Sequence, residues 1–186
     1  MRRSDFEHVL AAAVNVSGER EIVVLGSQAI LGSVPKPPAA LAESMELDIY
    51  PLNDPAKAED IDGALGDGSQ FHSTYGFYAH GVGPETMKGP AQWQQRLIKV
   101  QVPPRPGESD PSIAYCLELH DLVLAKCAAN RERDWEYARE MLRLGLVELE
   151  VLLERVEEVK VGEEDRKQIR AMLVGLGKQL GLAGGE

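Results

Sequence analysis

Cysteine is scarce in this chain: Cys116 and Cys127 are its only two, each set among aliphatic neighbours. That argues against a disulfide-stapled fold, and two thiols cannot close a four-ligand zinc site without histidine. The pattern predicts buried free thiols. Long apolar runs are missing too. No stretch approaches the roughly 20 apolar residues that a membrane span needs, so no membrane partner is expected. Positive charge is in deficit, with 20 Lys and Arg against 30 Asp and Glu and a net charge of −10. This argues against broad nucleic-acid binding, which relies on cations neutralising phosphates, while a small basic pocket on an acidic body stays open. The opening MRRSDFEHVLAAAV carries acids and has the periodicity of an amphipathic helix, not the layout of a secretory signal. A cytoplasmic protein is expected.

What is present suffices for a core. Of 186 residues, 44% are apolar and 27% charged, the balance of a globular domain. Phe6, Val9, Leu10, Ala13 and Val14 recur at the spacing of one helix face over 4–16. EIVVL, residues 21–25, is continuous and β-branched, as in a strand buried on both faces. Gly26-Ser27 then turns into a short helix, and the prolines at 35, 37 and 38 impose a loop. ELDIYP reads as a strand, and 56–65 as a loop with a short helix. From 66 to 92 glycine and aromatics dominate, with Phe71, Tyr75, Phe77 and Tyr78 at strand-like spacing, predicting turns and short strands. RLIKVQVP is a further strand, PRPGESDPS a loop, and from Tyr115 onward the pattern is helical until a frayed GLAGGE tail. The expected fold class is α+β: a mixed sheet with flanking helices over 1–108, then a helical bundle over 109–186.

Two short stretches carry the chemistry. A strand ending in Gly26-Ser27 ahead of a helix offers backbone N–H groups to phosphate oxygens. Glu46 and Asp48 stand at i, i+2 on the second strand, so both project from one face. Two carboxylates that close repel unless a divalent cation lies between them, and magnesium with triphosphate oxygens fits such ligands. Together these residues predict a nucleoside-triphosphate and Mg2+ site. Taken alone, the acid pair fits better the solvent face of an edge strand, and Ser27 a plain helix cap.

Gly-Ser followed by an acid-x-acid strand resembles the nucleotidyltransferase superfamily, with its polymerase-beta-like fold. The later HDLVLAKCAANRERDWEY is similar to the helical Lys and Arg-Asp motif of the AbiEii-type toxin nucleotidyltransferases. The likeness spans roughly residues 20–143. It implies a Mg2+-dependent enzyme that moves a nucleoside monophosphate from a nucleoside triphosphate to a hydroxyl acceptor. An RNA acceptor, such as tRNA, and a cognate antitoxin are the partners it implies. Gly26, Ser27, Lys126 and Arg133 would hold the nucleotide, Glu46 and Asp48 the metal, and Lys126 and Asp134 would be catalytic. On one continuous helix, Lys126, Asn130, Arg133, Asp134 and Tyr137 would fall within about 100° of one another.

Three features depart from the family pattern. Glu46 stands where aspartate is usual, a proline loop lengthens the spacing from Gly-Ser to the acids, and RLIKVQV offers Lys99 and Gln101 where a third acid is common. The alternative reading is a catalytically silent relative acting as a binding or antitoxin-like protein. Arg131 to Asp134 also fit a solvated run of helix ion pairs. His72 and His80 fit loop or core positions better than metal ligation, and His120 fits either an oriented base or a helix start.

Overall fold

The computed structural model describes residues 1–104 and 111–182. The loop expected over 104–112, the boundary expected at 108/109 and the expected frayed tail fall wholly or largely outside them. The fold is α+β, as the residue pattern predicts. Two compact units are distinguished: Met1–Thr86 with Leu97–Leu117, and Met87–Arg96 with the chain from Glu118 onward.

The first unit is built on a five-stranded mixed sheet in the order β3-β2-β1-β5-β4. Strand β1 (Glu21–Val24) is central, which is why EIVV reads as a continuous apolar run: Ile22, Val23 and Val24 are all fully or almost fully buried. Strand β2 (Glu46–Pro51) lies antiparallel to β1, with Val24 opposite Ile49. Strand β3 (Tyr78–Gly81) runs parallel to β2 at one edge. At the other edge, β4 (Ile98–Val102) pairs antiparallel with β5 (Ser112–Cys116), which runs parallel to β1. Helix α1 (Arg3–Ser17) buries the expected Phe6, Val9, Leu10, Ala13 and Val14, and ends at Gly18. The turn after β1 leads through a 3-10 turn, Ser27–Ala29, into the four-residue α2 (Ile30–Ser33). Helix α3 (Ala58–Leu65) lies so close on β3 that a Cβ on Gly81 would fall 1.9 Å from the Ala58 carbonyl oxygen.

Two sequence expectations are corrected here. Tyr115 lies in strand β5, not in a helix; SIAYC is too short to betray its period, and its strand state comes from pairing with β1. Phe71 and Tyr75 are not on a strand but on helix α4 (Gln70–Tyr75). Ser69 caps it, its Oγ accepting from the His72 N–H at 3.1 Å, and Gly76 closes it in the left-handed conformation. Four apart, the two rings share a helix face and meet each other at 4.8 Å and His8 at 5.3 and 4.4 Å.

The second unit is helical: α5 (Leu119–Ala129), α6 (Glu132–Arg143), α7 (Leu149–Arg155) and α8 (Glu163–Leu180). No described helix is long and apolar enough to cross a membrane. Of the two options the sequence leaves at Asn130, a continued or a restarted helix, the structure takes the restart: Asn130 adopts the left-handed conformation (φ 54°) and ends α5. Asp121 is fully buried and accepts from Arg96 Nε at 2.8 Å and Arg155 Nη1 at 3.1 Å. His120 belongs to the helix start: it faces the capping Glu118 through Nδ1 at 2.6 Å and accepts the Glu148 backbone N–H through Nε2 at 3.0 Å.

This start of α5 gives the unit an acid-sensitive element. Burial alone would raise the Glu118 carboxyl, but hydrogen bonds from the His120 ring and backbone, with the Arg155 guanidinium, hold it at about 2, below its ordinary 4.5. A depressed folded-state pKa contributes stability that is complete above the unfolded value and fades as pH falls through the folded one. Glu118→Gln is therefore expected to cost on the order of 2 kcal/mol at neutral pH. Its deficit against the natural chain should close between pH 4.5 and about 2 in urea titrations. A deficit independent of pH would contradict the assignment.

Candidate metal centre

Alternation along β2 turns Leu47 and Ile49 into the core, both fully buried, and sets Glu46 and Asp48 on the opposite face, partly buried. The parallel register with β3 then places Tyr78 opposite Glu46 and His80 opposite Asp48. The His80 Nδ1 lies 2.9 Å from Asp48 Oδ1 and 3.2 Å from Glu46 Oε1. The Tyr78 hydroxyl donates to Glu46 Oε2 at 2.9 Å, fixing the plane of that carboxylate. Among the described residues, Glu46, Asp48 and His80 form a group able to hold a metal ion, with ligand atoms within 4.8 Å of one another.

Gly26 completes the centre from the turn that follows the neighbouring strand, β1. Its backbone (φ 62°, ψ −171°) lies in a region open essentially to glycine alone. A Cβ there would fall 2.0 Å from Asp48 Oδ2. The turn and the acid thus touch. The helix that follows Gly26-Ser27 is only one 3-10 turn and one α turn, shorter than a substantial macrodipole needs. Gln28 in this turn is buried, and its Nε2 donates to the Ser44 carbonyl at 2.9 Å, tying the turn to the approach of β2.

The electrostatics are those of crowded acids. Burial lifts the Asp48 carboxyl to about 6, and the neighbouring Glu46 adds to it. For Glu46, burial is outweighed by hydrogen bonds with Asp48 and Tyr78 and by His80, so its pKa falls. For His80, burial is outweighed by the Asp48 hydrogen bond and the two carboxylate charges, so its pKa rises. Two carboxylates and an imidazole nitrogen converging on one point form a donor set that suits a divalent cation.

The remaining candidates lie in the second unit. Lys126 on α5 and Asp134 on α6 are brought together despite the helix break, with Nζ donating to Oδ1 at 3.2 Å. Arg131 Nε donates to the other oxygen, Oδ2, at 2.7 Å, and Asp134 is fully buried. Burial would raise the Asp134 carboxyl, but Arg131 and Lys126 outweigh it and hold it below the ordinary range. Burial lowers the Lys126 pKa despite Asp134, and its Nζ lies 4.5 Å over the Tyr137 ring. Arg133 is exposed on α6. His72 is not in the metal group; its Nδ1 lies 3.0 Å from Asp67 Oδ1.

Residues 5–176 match a family model described as a nucleotidyltransferase of unknown function (DUF6036). The chain belongs to that nucleotidyltransferase family. No curated protein and no solved structure matches it. In this family member the third position of the centre is held by His80, a residue whose sequence context favours a loop or core role over metal ligation. RLIKVQV, where the superfamily pattern commonly has a third acid, forms β4, which is separated from β2 by β1 and β5, and its Lys99 lies over the Tyr115 ring instead. The strand beside β2 is β3, and it supplies His80. The available signal was Tyr78-x-His80, which repeats the period of Glu46-x-Asp48 within a run that ends at Gly81.

Proposed function

We propose that the protein transfers a nucleoside monophosphate from a nucleoside triphosphate to a hydroxyl acceptor, in a reaction that depends on a divalent cation. The observation that carries this is the convergence of Glu46, Asp48 and His80 with the Gly26 backbone packed against Asp48. Membership of a nucleotidyltransferase family supports the same reading. Glu46 and Asp48 hold the cation, Mg2+ in the superfamily pattern, with Tyr78 orienting Glu46. What a bound cation supplies is neutralisation of charge on the phosphates during transfer.

The residues themselves position. Gly26 lets the backbone approach without a side chain, so that the turn with Ser27 takes the triphosphate. Lys126 acts as a phosphate-binding point charge and Arg133 as a second cation for the nucleotide. Asp134 holds Lys126 in place, beside the acid/base role that the resemblance implies for it. The AbiEii-type likeness belongs to the same proposal, with an RNA acceptor, a toxin role and an antitoxin partner. A silent relative is the second reading, on two grounds: β4 carries no acid, though the sheet order separates that strand from β2, and the C-terminal helices offer a surface that could cover a partner.

Incubation with labelled nucleoside triphosphates, a divalent cation and total RNA tests the proposal. Label is expected to pass to RNA with the natural chain, and to drop by a factor of about 100 or more with Asp48→Asn. Label transfer that is unchanged in Asp48→Asn, or absent with every triphosphate, would overturn it.

A further inference from the structure

We infer that His80 is the third protein ligand of the cation, and that through its nitrogen the centre prefers a divalent transition ion such as manganese to magnesium. This rests on the cation-site reading above and adds to it a metal class and a ligand. The geometry carries it in three steps. First, the His80 Nδ1 already stands within hydrogen-bond distance of an oxygen from each carboxylate, 2.9 Å from Asp48 and 3.2 Å from Glu46. A cation taking those oxygens meets that nitrogen as well. Second, the parallel register of β2 and β3 fixes this meeting in the backbone, since Asp48 and His80 are paired across the two strands. Third, the His80 side chain is 49% exposed. An ion pair that exposed contributes little to stability, so packing alone gives no strong reason for an imidazole there.

The donor set decides the metal. Magnesium demands near-ideal octahedral oxygen ligation and gives up water reluctantly. Imidazole suits transition ions, and carboxylate and water suit manganese. Two carboxylates and one nitrogen, with the remaining positions left to water or phosphate, therefore favour manganese over magnesium. Glu46 in place of the usual aspartate agrees with this: its Oε2 is held by Tyr78 while Oε1 faces the nitrogen.

Manganese(II) is the probe. Titrating it into the full chain and recording pulsed electron paramagnetic resonance is expected to show coupling to a histidine nitrogen. Coupling should vanish in His80→Ala. Calorimetry is expected to give manganese an affinity at least about tenfold above that of magnesium, and His80→Asp should bring the two affinities together. Manganese bound without nitrogen coupling, or with coupling that survives in His80→Ala, would overturn the inference while leaving the cation site standing. No manganese bound with or without a nucleoside triphosphate would remove both.

Discussion

Alanine at position 26 is expected to lower divalent-cation affinity by a factor of about 10 to 100, the range seen when groups that orient metal ligands are disturbed. Two independent effects combine. Gly26 sits at φ 62° and ψ −171°, a conformation that costs a side-chain-bearing residue about 1 to 3 kcal/mol. The added methyl would also begin 2.0 Å from Asp48 Oδ2 and 3.0 Å from its Cγ. Backbone strain alone would lower stability and spare the metal centre; the contact displaces the carboxylate itself. Both readouts are therefore expected to change: the chain unfolds at lower urea, and calorimetry shows weakened cation binding in the folded protein. Gly26→Ala with unchanged cation affinity would mean that Asp48 does not ligate from where it stands.

Asp134→Ala is expected to destabilise the second unit by about 3 to 5 kcal/mol, the cost of breaking a buried ion pair from one side. Both carboxylate oxygens are taken, by Lys126 at 3.2 Å and Arg131 at 2.7 Å, and the residue is wholly buried. Its removal strands the Lys126 ammonium, whose side chain is only 14% exposed. Replacing Lys126 by methionine in the same chain removes the stranded charge and keeps the apolar stem over Tyr137. The double variant should recover most of the loss, since well-packed apolar replacements of buried pairs are often neutral. Urea denaturation of the single and double variants measures this. A single variant within about 0.5 kcal/mol of the natural chain, as expected for a surface substitution, would show that the carboxylate does not clamp α5 to α6. The same geometry bears on chemistry. A carboxylate held below its ordinary pKa by two cations is a weak proton acceptor, which favours positioning Lys126 as its main contribution.

The parts of this molecule legible in its sequence are those where period and chemistry coincide. EIVV reads as a central strand because it is apolar on both faces, and β1 has neighbours on both sides. ELDIYP reads as a half-buried strand because Leu47 and Ile49 alternate with the acids, and the burial follows that alternation. Helix α4 was illegible because Phe71, Tyr75, Phe77 and Tyr78 mimic strand spacing, while its signals, Ser69 as cap and Gly76 as stop, are single residues. Strand β5 was illegible because five residues cannot establish a period, and its hydrogen-bond partner, β1, lies about ninety residues earlier in the chain. His80 could not be ranked above a loop or core histidine for a related reason. The alignment of β3 with β2 is a long-range register, and only that register sets His80 beside Asp48. The ion pair of Lys126 with Asp134 does not need a continuous helix: the helix restarts after Asn130, and α6 turns back to make the contact.

Calorimetric titration of each nucleoside triphosphate, with Mg2+ or Mn2+, into the natural chain and into Asp48→Asn tests the cation-dependent nucleotide site most directly. At least one triphosphate is expected to bind the natural chain only when a divalent cation is present, with that binding lost in Asp48→Asn. Binding that ignores both the cation and the substitution, or no binding of any triphosphate, would contradict the assignment of Glu46, Asp48 and the Gly26 turn.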